Sequence, residues 1–286
     1  MKRTLFYICT AILLGLCNAC DIISENDRIR EGEMITYSRY VLVEDYTGQL
    51  CVNCPRGAEI LNQLKTTTDG HVITVAIHGN RLQSSHFNPN NETDAIAYAA
   101  RNSISSYPTA VINRMEKETQ TSLWEAAVMR QFGTDAPFDM EVTAEYDPQT
   151  KAIHIATSVN TVTDANHNYN LDDGVMLQVW LTQSQIVASQ STPEGTVRDY
   201  VHNHVLRKAV NGIDGETLSK TDNDPDDAWK QTVRHSIVPD EAWVSESRHF
   251  GIVAFVYQNG NGVLQCCETE IELSDLLPED PKTENE

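Results

Sequence analysis

The sequence predicts two folded parts in tandem: an α/β layer over residues 39–135 and a mainly antiparallel β-sandwich over residues 136–276. Three observations predict this. Between residues 39 and 134, apolar strand-like runs alternate with helix-period patterns, an order that implies an α/β layer with parallel pairing. After Pro137 the texture changes to alternating runs separated by turn sequences such as "DPQT" and "NGNG". The two ends of the chain carry neither pattern.

Residues 1–20 read as a secretory signal. Lys2 and Arg3 form a basic start, and "LFYICTAILLGLCNAC" is an apolar run with small residues near its end. Ala19 precedes Cys20, which resembles the end of a bacterial lipoprotein signal, where the cysteine is lipidated and becomes the mature N-terminus. An ordinary cleaved signal is the alternative. No other stretch approaches the length of apolar sequence that spans a bilayer. Residues 21–38 are polar and charged and read as a tether.

The elements of the first part follow in order. "RYVLVEDYT" is a strand; "CPRGAEILNQLKTTT" is a helix with Ala58, Ile60, Leu61 and Leu64 on one face. "HVITVAIHG" is a second buried strand, and "NETDAIAYAARNSI" has helical spacing at Ile96, Ala97 and Ala100. "YPTAVINR" is a third strand opened by proline. "TSLWEAAVMRQF" is a helix with Thr121 or Ser122 as N-cap, Glu125 near its first turn and Gly133 at its end.

In the second part, "FDMEVTAEYDPQTKAIHIATSVNTV" is a hairpin and "GVMLQVWLTQSQIVAS" is a further strand. "SRHFGIVAFVYQNGNGVLQCCETEIEL" is two more strands around a tight turn. The intervening "TPEGTVRDYVHNHVLRKAVNGIDGE" reads as partly helical, with Gly212 and Gly215 in turns. Residues 277–286 read as a disordered acidic tail. There are no internal repeats.

Composition narrows the function. Lys and Arg number 21 against 41 Asp and Glu, a net charge of −20, which argues against nucleic acid and against an anionic membrane surface as electrostatic partners. Of the seven cysteines, Cys9, Cys17 and Cys20 belong to the signal or its anchor. Cys51, Cys54, Cys266 and Cys267 remain, and in an oxidising compartment a paired count favours disulfide chemistry over zinc.

Cys51-Val52-Asn53-Cys54 is the main candidate site. A strand delivers Cys51 to a helix start, where free N–H groups and the helix dipole favour a thiolate. Cys54, one turn on, is close enough to attack a mixed disulfide, and Pro55 falls where its missing N–H costs little. Pro108 opens a strand well downstream. Together these residues resemble the thioredoxin fold, whose cis-proline packs beside the active disulfide. The resemblance implies a thioredoxin-like N-terminal domain, with Cys51 as nucleophile, Cys54 as resolving thiol and Pro108 as their neighbour. Leu50 stands where thioredoxins usually carry Trp, and "TGQL" replaces their Trp-rich loop. The buried acid that assists proton transfer is either Asp45, by spacing to Cys51, or Glu44, by position after "VLV". An inert clip that rigidifies the loop is the alternative to a working redox pair.

Cys266 and Cys267 are adjacent in a strand and so point to opposite faces, and a direct bond between them is strained. One buried and one exposed thiol is the expectation. A sharper idea is exchange of one of them with Cys51–Cys54, which requires the two parts to touch there. Asp164, Asn166, Asn168, Asn170 and Asp172, and likewise Asp222, Asp224 and Asp226, cluster side-chain oxygens. Neither group has the glycine and terminal glutamate of an EF-hand, so both read as polar loops rather than calcium sites. His202, His204 and His235 lack a further ligand at motif spacing and read as packing residues. No metal and no cofactor is expected. No G-x-S-x-G elbow or phosphate-cradling glycine loop supports a hydrolase or nucleotide enzyme.

"VLVEDYTGQLCVNCPRGAEIL", "SSYPTAVINR", "DYVHNHVLRKAVNGIDGE" and "NGNGVLQCCETEIEL" together resemble the outer membrane protein 28 family of Bacteroidetes. The resemblance implies a lipoprotein of the outer membrane, lipid-anchored on its periplasmic or cell-surface face, with a thioredoxin-like N-terminal and a β-rich C-terminal domain. It implies an adhesin or receptor whose partner is an unknown protein or surface ligand. Two functions follow: a binding protein that uses the first domain as scaffold, or a membrane-tethered thiol–disulfide oxidoreductase. An accessible Cys51 sulfur beside an open groove at Pro108 favours the oxidoreductase; a pair buried under the second part favours the scaffold.

Overall fold

The computed structural model describes residues 39–274, apart from 80–81, 84–86, 88–92, 164, 166, 172–173, 222–223 and 225–226. The expected signal with Cys20, the tether and the acidic tail lie outside the described residues, as do Asp164, Asn166, Asp172, Asp222 and Asp226.

The first strand, β1 (Val41–Thr47), is buried along its whole length. Helix α1 (Cys54–Thr67) follows, burying Gly57, Leu61 and Leu64. Then come β2 (Val72–His78), α2 (Thr93–Arg101), β3 (Thr109–Ile112), β4 (Glu116–Glu118) and α3 (Trp124–Gln131). β2 runs parallel to β1 with Val41 opposite Val72 and Thr47 opposite His78. β3 is antiparallel to β1, with Tyr46 opposite Thr109, so the expected parallel pairing holds for β1 and β2 and not for β3. The physical reason is where the chain re-enters. After α2 it turns at Ser106–Pro108 beside the end at which β1 finishes, so β3 must run back.

Two other local expectations are corrected. Helix α2 buries Ala95, Tyr98 and Ala99, not the face of Ile96, Ala97 and Ala100. Tyr98 decides this: its ring packs on Trp180 and its hydroxyl reaches Gln178 Oε1 (3.1 Å) and the Ile213 carbonyl (3.0 Å). Neither Thr121 nor Ser122 caps α3. A 3₁₀ turn, Thr121–Leu123, leads into it, and Leu123 at the N-cap position has no side-chain oxygen to offer.

The rest of the described chain is mostly strand: β5 (Phe138–Asp147), β6 (Ala152–Thr161), β7 (Val175–Ser184), β8 (Ile186–Thr192), β9 (Gly195–His202), β10 (Val205–Ala209), β11 (Glu216–Thr217), β12 (Gln231–Ile237), a short helix α4 (Glu241–Glu246), β13 (His249–Gln258) and β14 (Gly262–Glu272). The turns at "DPQT" and "NGNG" join β5 to β6 and β13 to β14 as antiparallel hairpins. The stretch expected to be partly helical forms β9, β10 and β11 instead. Pairing overrides its helix-like spacing. β10 is held between β7 and β2, with Val205 opposite both Gln183 and Ala76.

The result is a mostly β protein with few helices and one large mixed sheet. That nine-stranded sheet has the order β14-β13-β7-β10-β2-β1-β3-β4, with β11 attached to β7. It therefore joins strands from both sides of residue 135. Its far end returns toward its beginning: Val263 N–H donates to the Asn113 carbonyl (2.8 Å), Tyr40 N–H to Gln265 Oε1 (2.9 Å), and Lys65 pairs with Glu268 (2.6 Å). α1 and α3 cover one face of β1–β3 through Leu61, Leu64 and Trp124. On the other face Tyr46, Ile73 and Ile77 meet Trp180 and Phe255. The three-stranded sheet β12-β6-β5 packs on β7, β13 and β14 through Phe138, Ile153, Leu177 and Phe250.

This double coverage explains a further correction. Cys266 and Cys267 do point to opposite faces, but both are buried, Cys266 in the core with Trp180 and Phe255, Cys267 in the core with Phe138. Burial pushes the Cys266 thiol well up and the Cys267 thiol to about 12, so both stay protonated.

Candidate functional site

β1 ends at Thr47, and residues 48–53 turn the chain into α1, whose first residue is Cys54. Cys51 and Cys54 form a disulfide, with their Cα atoms 5.4 Å apart. Cys51 N–H donates to the Gly48 carbonyl at 3.0 Å and Cys54 N–H to the Cys51 carbonyl at 3.4 Å, so the loop is a tight turn before it is a helix. Pro55 lies in the first helical turn. The Tyr107–Pro108 bond is cis, and Pro108 packs against that same turn. A Cβ on Gly57 would lie 3.6 Å from Pro108 Cβ and 2.7 Å from the Trp124 ring, so only glycine fits there.

Both cysteines are buried, Cys51 at 3% exposure and Cys54 at 2%. Their neighbours Leu50 and Val52 are 49% and 44% exposed. A cavity of about 90 Å³ lies beside Cys54, walled by Asp45, Thr74 and His78 from the sheet, Ala58 from α1, and Gln190 and Tyr200 from β8 and β9.

The structure separates the two acid candidates. Adjacent strand residues face opposite ways. Asp45 faces the cavity with Cys54, and Glu44 faces the core. Glu44 is fully engaged: it pairs with Arg114 Nε (2.9 Å) and accepts from the Tyr46 hydroxyl (2.5 Å) and Asn102 Nδ2 (3.2 Å). Arg114 in turn lies 4.6 Å from the ring centres of both Phe255 and Tyr257. Asp45 Oδ1 has no hydrogen-bond partner, and neither has Thr74 Oγ1 across the same cavity. Burial alone pushes the Asp45 carboxyl up to about 7.

The second half of the chain closes over this site. Ser191 N–H donates to the Gln49 carbonyl (2.7 Å), and Gln49 Nε2 donates back to the Ser189 carbonyl (2.8 Å). Gln190 Nε2 donates to the carbonyls of Cys51 (2.9 Å) and Gly48 (3.3 Å). Sequence reading missed Gln49 and Gln190. Glutamines in polar stretches carry no motif, and only the tertiary fold brings residues about 140 positions apart together.

The other candidates lie elsewhere or are otherwise employed. Neither Cys266 nor Cys267 lines the cavity. His202 and His204 line it, but His235 sits on β12 and bonds Glu216 at 2.7 Å. The His202 ring packs edge-on to Phe87 at 5.1 Å and to His78 at 5.6 Å. Among the described residues, no three His, Cys, Asp or Glu side chains are arranged to hold a metal ion. Of the loop oxygens, Asp224 pairs with Lys230 (2.8 Å) and the Asn170 carbonyl accepts from Gln258 (2.8 Å).

The family model described as outer membrane protein Omp28 matches residues 95–274, more than half of the chain. The chain belongs to the Omp28 family. Membership associates it with the outer membrane, and the matched residues begin C-terminal to the disulfide. Among the described residues no helix is long and apolar enough to cross a membrane. No curated protein matches the sequence. Among solved structures, HBP35 of Porphyromonas gingivalis is similar over 82% of this chain and 76% of its own, at a TM-score of 0.64 and 17% identity. That likeness is one of fold. A protein from Agrobacterium tumefaciens aligns over 84% of this chain and 97% of its own, with 13% identity and a TM-score of 0.46.

Proposed function

We propose that this Omp28-family chain is a lipid-anchored binding protein of the outer membrane, of adhesin or receptor type. Its β-rich part contacts a protein or surface ligand, the thioredoxin-like layer of residues 39–135 is the scaffold, and Cys51–Cys54 is a structural clip. The observation that carries this reading is the seal: both cysteines are buried, and β8 closes on their loop through Ser191 and Gln190. A clip around so short a loop contributes about 2 kcal/mol. The test is insulin-disulfide reduction by the full chain with dithiothreitol. No acceleration over the reagent alone is expected. Acceleration that Cys51→Ser abolishes overturns the scaffold reading.

One observation favours a second reading, thiol–disulfide exchange. Asp45 is a buried carboxyl with one unpartnered oxygen on the same cavity as Cys54, pushed up to about 7 by burial. In that reading Cys51 is the nucleophile, Cys54 the resolving thiol, and Asp45 takes the Cys54 proton, with Pro108 beside them.

A further inference from the structure

The piece that seals the disulfide is separable from the main fold. β8 and β9 pair with each other alone, as a two-stranded ribbon, from Ile186 opposite His202 to Thr192 opposite Gly195. Residues 195–199 are exposed throughout, and the cross-strand partners Val187 and Val201 are 59% and 48% exposed. The ribbon's ring and apolar anchorage is at its base, where Ile186 packs with Phe87 and Val205 and His202, opposite Ile186, packs edge-on to Phe87 and His78. What seats its outer half is polar and falls on one short ledge of backbone. That ledge is the carbonyls of Gly48, Gln49 and Cys51, engaged by Gln190 Nε2 and Ser191 N–H. The ledge belongs to the turn that the Cys51–Cys54 bond closes. Bond and seat therefore belong to the same short turn.

We propose that the β8–β9 ribbon is a strap coupled to the Cys51–Cys54 bond: the bond opens to an external thiol only when the strap lifts, and opening the bond loosens the strap. This goes beyond both readings above, since it holds for a clip and for an exchange centre alike. The chemistry fixes why access matters. A dithiol reductant attacks Cys51 Sγ as a thiolate, and the S–S bond breaks. The electron pair goes to Cys54 Sγ, which takes up a proton. The second thiolate then attacks the mixed disulfide, closes the oxidised cyclic reagent and releases Cys51 as a thiolate. The protein gains two electrons and the dithiol loses them. The first attack needs access to the buried Cys51 sulfur, and Gln190 of the strap is seated on the Cys51 carbonyl. By linkage, the factor by which lifting favours the reduced form equals the factor by which reduction favours lifting.

The experiment follows reduction of the full chain by dithiothreitol. Newly freed Cys51 and Cys54 are tagged with a maleimide and located by peptide mass. Gln190→Ala and Gln49→Ala each remove ribbon-to-loop hydrogen bonds and leave the sulfurs untouched. At a net factor of about five per bond, Gln190→Ala, which loses two, is expected to be reduced about 25-fold faster, and Gln49→Ala, which loses one, about fivefold faster. Amide exchange on Ser191 is expected to quicken in the reduced wild type. Equal reduction rates in all three proteins overturn the proposal. So does a rate that equals global unfolding in every protein, since no local opening then exists, and so does unchanged Ser191 protection after reduction. If one variant fails to fold, the other and the exchange measurement decide. A Gln190→Ala protein that is quickly reduced yet does not accelerate insulin reduction supports the strap and removes the exchange reading.

Discussion

Replacing Asp45 by Asn should change the stability of the protein in a way that depends on pH with a definite sign. Asp45 is buried in β1 with an unpartnered oxygen, and burial raises its carboxyl from 3.8 to about 7. A raised carboxyl favours the protonated fold. Its contribution is fully present below about pH 4 and is lost as pH rises toward 7, because the unfolded chain ionises first. The interval is roughly three pH units, worth about 4 kcal/mol at about 1.4 kcal/mol each. Asn cannot ionise, so the variant escapes that loss. It also places an amide where no partner is at hand, a roughly pH-independent cost of about 1–3 kcal/mol. The stability of Asp45→Asn relative to wild type should therefore climb by about 4 kcal/mol between pH 4 and pH 8, from equal or weaker to stronger. Urea denaturation at pH 4.5, 6, 7 and 8, with the disulfide intact, reads the difference directly. A difference that stays flat across that range refutes the reasoning, for Asp45 would then be solvated or paired in the fold.

Three further outcomes follow from the same geometry. Glu44→Gln leaves the Arg114 charge among Tyr98, Trp180, Phe255 and Tyr257 without its carboxylate, and should cost about 3–5 kcal/mol by chemical denaturation. A loss below about 1 kcal/mol would show that the rings alone satisfy the guanidinium. Gly262 sits at φ +68° with the Asn113 carbonyl 2.2 Å from where a Cβ would be, so Gly262→Ala should lower stability by more than about 2 kcal/mol; an unchanged melting temperature would contradict the close approach of β14 to the end of β3. Cys20→Ser should move the chain from the membrane pellet to the soluble fraction of lysed cells; retention in the pellet would remove the lipid anchor from the proposal.

Much of the first half was legible because its elements carry their own signals. β1 opens on the apolar run Val41–Val43, β2 is apolar along most of its length, α1 repeats Leu61 and Leu64 on one face, and Pro108 marks the start of β3. The hairpins at "DPQT" and "NGNG" follow from turn chemistry. What was not legible depended on contacts distant in sequence. β10 reads like a helix by spacing and becomes a strand because β7 and β2 flank it. Cys267 lies in a strand whose period shows alternation but not that the other face is covered by β5 and β6. The face of α2 was misread because Tyr98 counts as polar at its hydroxyl yet buries its ring. At the candidate site, the sequence placed Cys51, Cys54 and two acids. The choice of Asp45 over Glu44 as the acid on the cavity came from strand alternation once the direction of one face was known. The strap was invisible, since Gln49 and Gln190 have ordinary neighbours and meet only in the fold.

The most direct measurement is the reduction potential of Cys51–Cys54 in the intact chain, taken by equilibration against thiol buffers. A sealed structural clip should lie below about −300 mV. A value at or above about −230 mV, in the range of working oxidoreductases, would contradict the scaffold role and make the pair the functional centre of the protein.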